Sequence, residues 1–158
     1  MNPHTNHIQN IAEKALATIG CTEAPVPIKE VASKFNLEVI EFEFPDSFSG
    51  VLKKERRVIG VNKKHHNVRK RFTIAHELGH FLLGHNIADE QDILDDDFDK
   101  PIHKEKEANI FASQILMPAN WVKNDVAKNG KIDLKQLASK YEVSEQAITI
   151  RLLELNLI

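Results

Sequence analysis

Two histidines four residues apart with a glutamate between them, His76-Glu77-Leu78-Gly79-His80, are the residues of this chain best suited to chemistry. On a helix, residues four apart differ by roughly 40° around the axis and about 6 Å along it. Both imidazoles then reach one ion from the same face. Glu77 lies one step round, too far to be a natural third ligand yet near enough to reach a water on that ion. Two imidazoles and a carboxylate suit zinc, leave a position for water and lower its pKa toward neutrality. This casts Glu77 as a general base that activates the water against a scissile carbonyl and passes the proton to the leaving amine. Five letters recur by chance in many proteins, so the surroundings must carry part of the argument. Phe72, Ile74, Leu82 and Leu83 set the two histidines beside a buried face, where uncompensated polar groups are costly.

A third ligand has to come from elsewhere. His85 does not extend the motif, because the longer pattern requires Gly and His where the chain has Leu83 and Asn86. On a continued helix His85 also sits about 140° round from His80, which predicts a surface or packing histidine pointing away from the ion. The helical pattern around 102–116 offers Glu105 and Glu107, with Ala108, Phe111, Ala112, Ile115 and Leu116 forming its apolar face. Glu105 falls inside that arc, and Glu107 falls at its edge, roughly 100° from the centre. The metal set is therefore read as His76, His80 and Glu105, with Glu107 as the alternative. The bland reading of both acids is solvated charge near a helix N-terminus. Asn109, one turn after Glu105, is placed to hydrogen-bond a ligand.

The elements that must hold these residues follow from periodicity. Residues 8–19 place Ile8, Ile11, Ala12, Ala15, Leu16 and Ile19 at helical spacing before Gly20, and Pro27 to Phe35 reads as a second short helix. Leu37 to Phe44 alternates as a strand, and Ser49 to Lys53 with Arg57 to Val61 reads as a hairpin. The active-site helix runs from about Asn67 to Gly84. Residues 86–101 lack periodicity and read as an exposed loop. Beyond Met117-Pro118, helical stretches fall near 119–128, 133–140 and 144–156.

With 158 residues, 42% apolar and 28% charged, the chain has the length and composition of one soluble globular domain. A net charge of −2 gives no global attraction to nucleic acid or an anionic membrane. The lone cysteine, Cys21, precludes an internal disulfide and fits a reducing compartment. The N-terminus has no basic start followed by an apolar stretch, and no apolar run approaches the ~20 residues of a membrane span. A cytoplasmic protein with no membrane association is expected.

The run Arg71-Phe72-Thr73-Ile74-Ala75-His76-Glu77-Leu78-Gly79-His80-Phe81-Leu82-Leu83-Gly84-His85 resembles the ImmA/IrrE metallopeptidases. So do Glu105-Lys106-Glu107-Ala108-Asn109 and Leu116-Met117-Pro118, and the upstream segments Gly50-Val51-Leu52 and Ile59-Gly60-Val61-Asn62. The resemblance covers roughly residues 25–120. It implies an α+β, minimal zincin-like domain in which a short twisted sheet packs on the active-site helix. It also implies His76, His80 and Glu105 as zinc ligands and Glu77 as general base. On this reading residues 1–158 form a single metallopeptidase domain, with a core at about 25–120 and a helical C-terminal part at 121–158. Members of the family are bacterial or phage-related, and those characterised cleave repressor-type regulators, relieving repression of mobile elements or stress genes. With no room here for a DNA-binding or sensor domain, the expected partner is a separate DNA-binding repressor or an antitoxin. The alternative is a non-catalytic antirepressor or toxin–antitoxin component that acts by binding, which would have no need of Glu77.

The tail invites a third reading. Leu134, Leu137, Ala138, Tyr141, Val143, Ala147, Ile148 and Leu152 fit a helix-turn-helix with Ser144 as a cap. From Lys131 onward, however, Lys131, Lys135, Lys140 and Arg151 are balanced by Asp133, Glu142, Glu145 and Glu154, so phosphate attraction would be weak. A packing or partner-docking element is expected, without direct nucleic-acid binding. The basic run Lys63, Lys64, Arg69, Lys70 and Arg71 reads as a solvated face or a contact for an acidic partner. The acidic run at 92–99 reads as a solvated loop, with a flap beside the cleft as the alternative.

Overall fold

The computed structural model describes residues 2–85 and 101–158. The first helix, α1 (Pro3–Ala17), starts five residues before the sequence pattern suggests. Its start signal is polar: the Asn2 side chain accepts from the His4 N–H at 2.8 Å, and Pro3 takes the first helical position. A short helix, α2 (Ile28–Lys34), leads into strand β1 (Glu38–Phe42). Strands β2 (Gly50–Lys53) and β3 (Val58–Asn62) follow as an antiparallel pair, with Val51 opposite Gly60. Strand β1 lies parallel to β3 on its other edge, giving the order β1-β3-β2. The central strand is therefore the most buried, and its Ile59 and Val61 are fully enclosed. Asn62 is buried too. Its side-chain amide donates to the Pro45 and Phe48 carbonyls and its oxygen accepts from the Lys64 N–H, tying the loop after β1 to the approach to the next helix.

That helix, α3 (Asn67–Leu82), packs one face on the sheet and another on α4 (Pro101–Leu116). The approach of α3 to α4 is close because residue 79 is glycine. A Cβ there would stand 2.9 Å from the Phe111 ring and 3.2 Å from its Cβ. Helix α1 covers α4 from the far side. Helices α5 (Ala119–Asn129), α6 (Leu134–Tyr141) and α7 (Glu145–Glu154) complete the chain. One buried apolar cluster runs from Ile8 through Leu78, Phe111 and Ile115 to Tyr141, Ile148 and Leu155. The architecture is α+β, of the minimal zincin-like kind, with a sheet of three short strands among the described residues. Among those residues no helix is long and apolar enough to cross a membrane. The acidic run at 92–99 lies outside the described residues.

Two expectations from the sequence change here. Helix α3 ends at Leu82 rather than Gly84, because Gly84 adopts φ +71° and turns the chain back. The Gly84 N–H donates to the Phe81 carbonyl at 3.2 Å and the His85 N–H to the His80 carbonyl at 3.0 Å, a Schellman closure that satisfies the last carbonyls. A helical wheel consequently says nothing about His85. The basic run, for its part, is met largely from within the molecule. Lys70 pairs with Glu41 at 2.9 Å, Arg71 with Glu142 at 3.3 Å, and Arg69 donates to Ser49 at 3.1 Å.

Candidate metal centre

Helices α3 and α4 bring three potential ligands to one point. His76 Nε2 stands 2.8 Å from Glu105 Oε2 and 3.1 Å from His80 Nε2. His80 Nε2 is 3.0 Å from Glu105 Oε1, and all three ligand atoms lie within 4.8 Å of one another. Bonds of ~2.0–2.1 Å at tetrahedral angles would separate ligand atoms by roughly 3.3 Å. The observed spacings are a few tenths of an ångström shorter, a difference that small side-chain rotations supply. His80 is 1% exposed and the Glu105 side chain 51%, so the cluster is walled on one side and open to solvent on the other.

The hydrogen bonds around the histidines decide which ring nitrogen each turns toward the cluster. Glu107, as a carboxylate, only accepts, so His85 Nε2, 2.7 Å away, carries a proton. Burial holds His85 below the usual histidine range, more than offsetting the pull of Glu107, which keeps that ring neutral. Its Nδ1 is then an acceptor, and the proton between the two Nδ1 atoms 2.9 Å apart belongs to His80. Nε2 is then the nitrogen that His80 turns to Glu105. For His76, Asn109 Oδ1 accepts from Nδ1 at 2.7 Å, which turns that Nε2 to Glu105 as well. Both imidazoles thus turn Nε2 toward Glu105, where it donates to the carboxylate while it carries a proton and would be the ligating atom once a metal ion displaces that proton.

The electrostatics point the same way. Hydrogen bonds from His76 and His80 hold the Glu105 carboxyl well below the usual carboxylate range. Burial alone would lower His76, but Glu105, Glu77 and Asn109 together push it up; groups that favour an extra proton there also favour a divalent cation. Glu77, 8% exposed, is raised by burial and by the charge of Glu105, against the opposing pull of His76 and His80. An upward shift makes the carboxylate a stronger base, the direction a proton acceptor in this position needs. The donor set, its spacing and its tautomers all fit a divalent metal ion.

The structure therefore brings together His76, Glu77, His80 and Glu105, and separates Glu107 from the cluster. Glu107 instead joins His85 to His4, whose Nε2 lies 2.8 Å from Glu107 Oε1. His85 is not a surface histidine but a buried one, 6% exposed, and it supports His80 from behind. The Lys54 ammonium holds it there by donating to the His85 carbonyl. The signals that would have revealed this chain were Leu83-Gly84-His85 as a glycine helix stop and Asn2-Pro3 as a helix start.

Similarity to known proteins agrees with this geometry. The model of the IrrE N-terminal-like domain, a peptidase family, matches residues 32–153. The match runs past the region of motif resemblance and through most of the C-terminal helices. No curated protein shows significant similarity to the chain. Among solved structures, a Mycobacterium tuberculosis transcriptional regulator shares the fold with a TM-score of 0.70 and 17% identity, over 92% of this chain and 46% of that one. The chain thus spans less than half of that regulator's length, and the likeness is one of fold.

Proposed function

The chain belongs to the peptidase family of the IrrE N-terminal-like domain, and from that premise we propose that it is a zinc-dependent endopeptidase acting on a protein substrate. His76, His80 and Glu105 hold the metal, and Glu77 is the general base. When bound, zinc polarises a carbonyl and lowers the pKa of a water molecule toward neutrality. The protein's own residues perform the rest. Asn109 and His85 engage the two Nδ1 atoms and so orient both Nε2 atoms toward the ligand position. Glu77 takes the proton of the attacking water and delivers it to the leaving amine, a task suited to its buried, upward-shifted carboxyl. The observation that carries the proposal is the convergence of the three ligand atoms within 4.8 Å beside that buried carboxyl. A protein acting by binding alone would gain nothing from burying a carboxyl there, where desolvation is costly.

The substrate we propose is a separate DNA-binding regulator or antitoxin in the cytoplasm. Support comes from the resemblance to ImmA/IrrE peptidases and from the tail. Arg151, the basic side chain of the second tail helix, is 3% exposed and donates to the Met117 carbonyl at 3.0 Å, so it is not free to meet a phosphate.

The test is metal analysis of the purified protein paired with Glu77→Gln assayed on the co-encoded regulator. Stoichiometric zinc is expected in both proteins, with cleavage reduced by roughly 10²–10⁴-fold in the variant. Absence of bound metal, or full activity in Glu77→Gln, would overturn the proposal.

A further inference from the structure

The seam between α3 and α4 continues beyond the metal cluster. On α3, Val68, Phe72, His76 and His80 recur every fourth residue, and on α4 so do Glu105, Asn109 and Ser113, with Met117 next in the series just past the end of the helix. Residues at that spacing share one helix face. Each stripe therefore carries metal-site residues at one end and groove-lining residues at the other. The groove has a volume of about 650 Å³ and is closed on its third side by α7, through Ala147 and Ile150. It excludes the metal ligands themselves but includes Asn109, which holds His76.

The walls identify an occupant. Phe72, Ile110, Met117 and Ala147 are apolar, and Ile150 leaves 47% of itself in solvent. Among them stand Ser113 and Gln146, able to pair with the N–H and C=O groups that a peptide carries and a lipid chain does not. An extended chain advances ~3.3–3.6 Å per residue, so two residues from a carbonyl held at the metal cover about one helical turn of the seam. That brings a side chain opposite Phe72.

Resting on the endopeptidase reading, the geometry points to the α3–α4–α7 groove as the specificity site for the substrate polypeptide, taking large apolar side chains two to four residues from the scissile bond. The second helix of the helix-turn-helix-like tail is on this view a wall of the substrate cleft. Its exposed positions hold Ile150 and Leu153 beside Glu145, Gln146 and Glu154, with no basic side chain where a DNA reader would carry several.

Two arms test this separately from catalysis. In the first, zinc-loaded Glu77→Gln protein is irradiated with short peptides carrying a photoactivatable leucine analogue, and crosslinks are mapped by mass spectrometry. Adducts are expected on Ile110, Ala147 and Ile150, falling roughly tenfold or more when Ala147→Phe narrows the groove, with zinc content unchanged. In the second, the wild-type protein cleaves a degenerate peptide library. Leu, Ile, Phe or Met should be enriched at one position, and Ile150→Glu should shift that preference toward Lys and Arg. Adducts in the groove without any cleavage would sink the peptidase reading alone. Cleavage with adducts elsewhere, or a profile indifferent to both variants, would sink the groove assignment alone. A stable dimer that buries Ile150 would assign the groove to a second copy and overturn it as well.

Discussion

Glu105 and Glu107 are two residues apart, hence roughly 200° apart around α4, and this rotation gives them different work. Glu105 reaches the Nε2 atoms of both His76 and His80. Glu107 meets His80 only through His85, at the opposite nitrogen. The difference should be measurable as affinity. Glu105→Ala removes a ligand and should abolish stoichiometric zinc binding. Glu107→Gln and His85→Ala leave the ligands in place but free the His80 ring to change tautomer, and should weaken binding roughly 10–100-fold. Competition against a chromophoric chelator measures all three. Equal losses for Glu105 and Glu107 would mean that both ligate, and no loss for His85→Ala would remove it from the support of the site. The helical wheel places the two glutamates on different faces, and it applies to them because both lie within a regular helix. For His85 the wheel has no footing, because it presumes a helix that Gly84 has already ended.

The elements matter chiefly through one distance, that between α3 and α4. The first carries His76, Glu77 and His80 and the second carries Glu105, so their separation is the aperture of the site. Gly79 sets it. A methyl group at that position would overlap Phe111, which is fully buried. Gly79→Ala should therefore wedge the helices apart, costing ~1–3 kcal/mol of stability and weakening zinc binding along with it. Urea denaturation and chelator competition on one preparation would show whether the two losses travel together. A stable variant with normal affinity would show that the contact yields. In the sequence Gly79 stands out only as a glycine within a helical pattern, where it costs about 1 kcal/mol relative to alanine; its packing reason appears once Phe111 faces it. The helices and strands themselves were legible because their apolar periodicity reports their burial. Boundaries set by polar capping, at Asn2 and Gly84, were not.

At the scale of the whole molecule, the C-terminal helices belong to the same buried cluster as the metal-site helices, and a charged junction ties α5 to α6 among them. Asp125 of α5 accepts from the Tyr141 hydroxyl and the Lys140 ammonium at the end of α6, both at 2.6 Å. Burial works to raise the Asp125 carboxyl, but Lys140 and Tyr141 outweigh it and hold it below the ordinary range. Tyr141 moves the other way, pushed up by burial and then by the charge of Asp125. A carboxyl depressed in the folded state contributes stability above its unfolded pKa of about 3.9, and that contribution fades as pH falls through the lower folded value. A phenol raised in the folded state contributes below its unfolded pKa of about 10 and loses that contribution as pH climbs further. Between those limits the pair should be indifferent to pH. Asp125→Asn removes the charge while leaving an oxygen that can accept from Tyr141. Its stability deficit relative to wild type, followed by urea unfolding across a pH series, should hold steady from pH 7 down to about 4 and shrink below that as the wild-type carboxylate takes up its proton. A deficit that stays constant into strong acid would show that the junction of α5 and α6 is held by shape and neutral hydrogen bonding rather than by this charge.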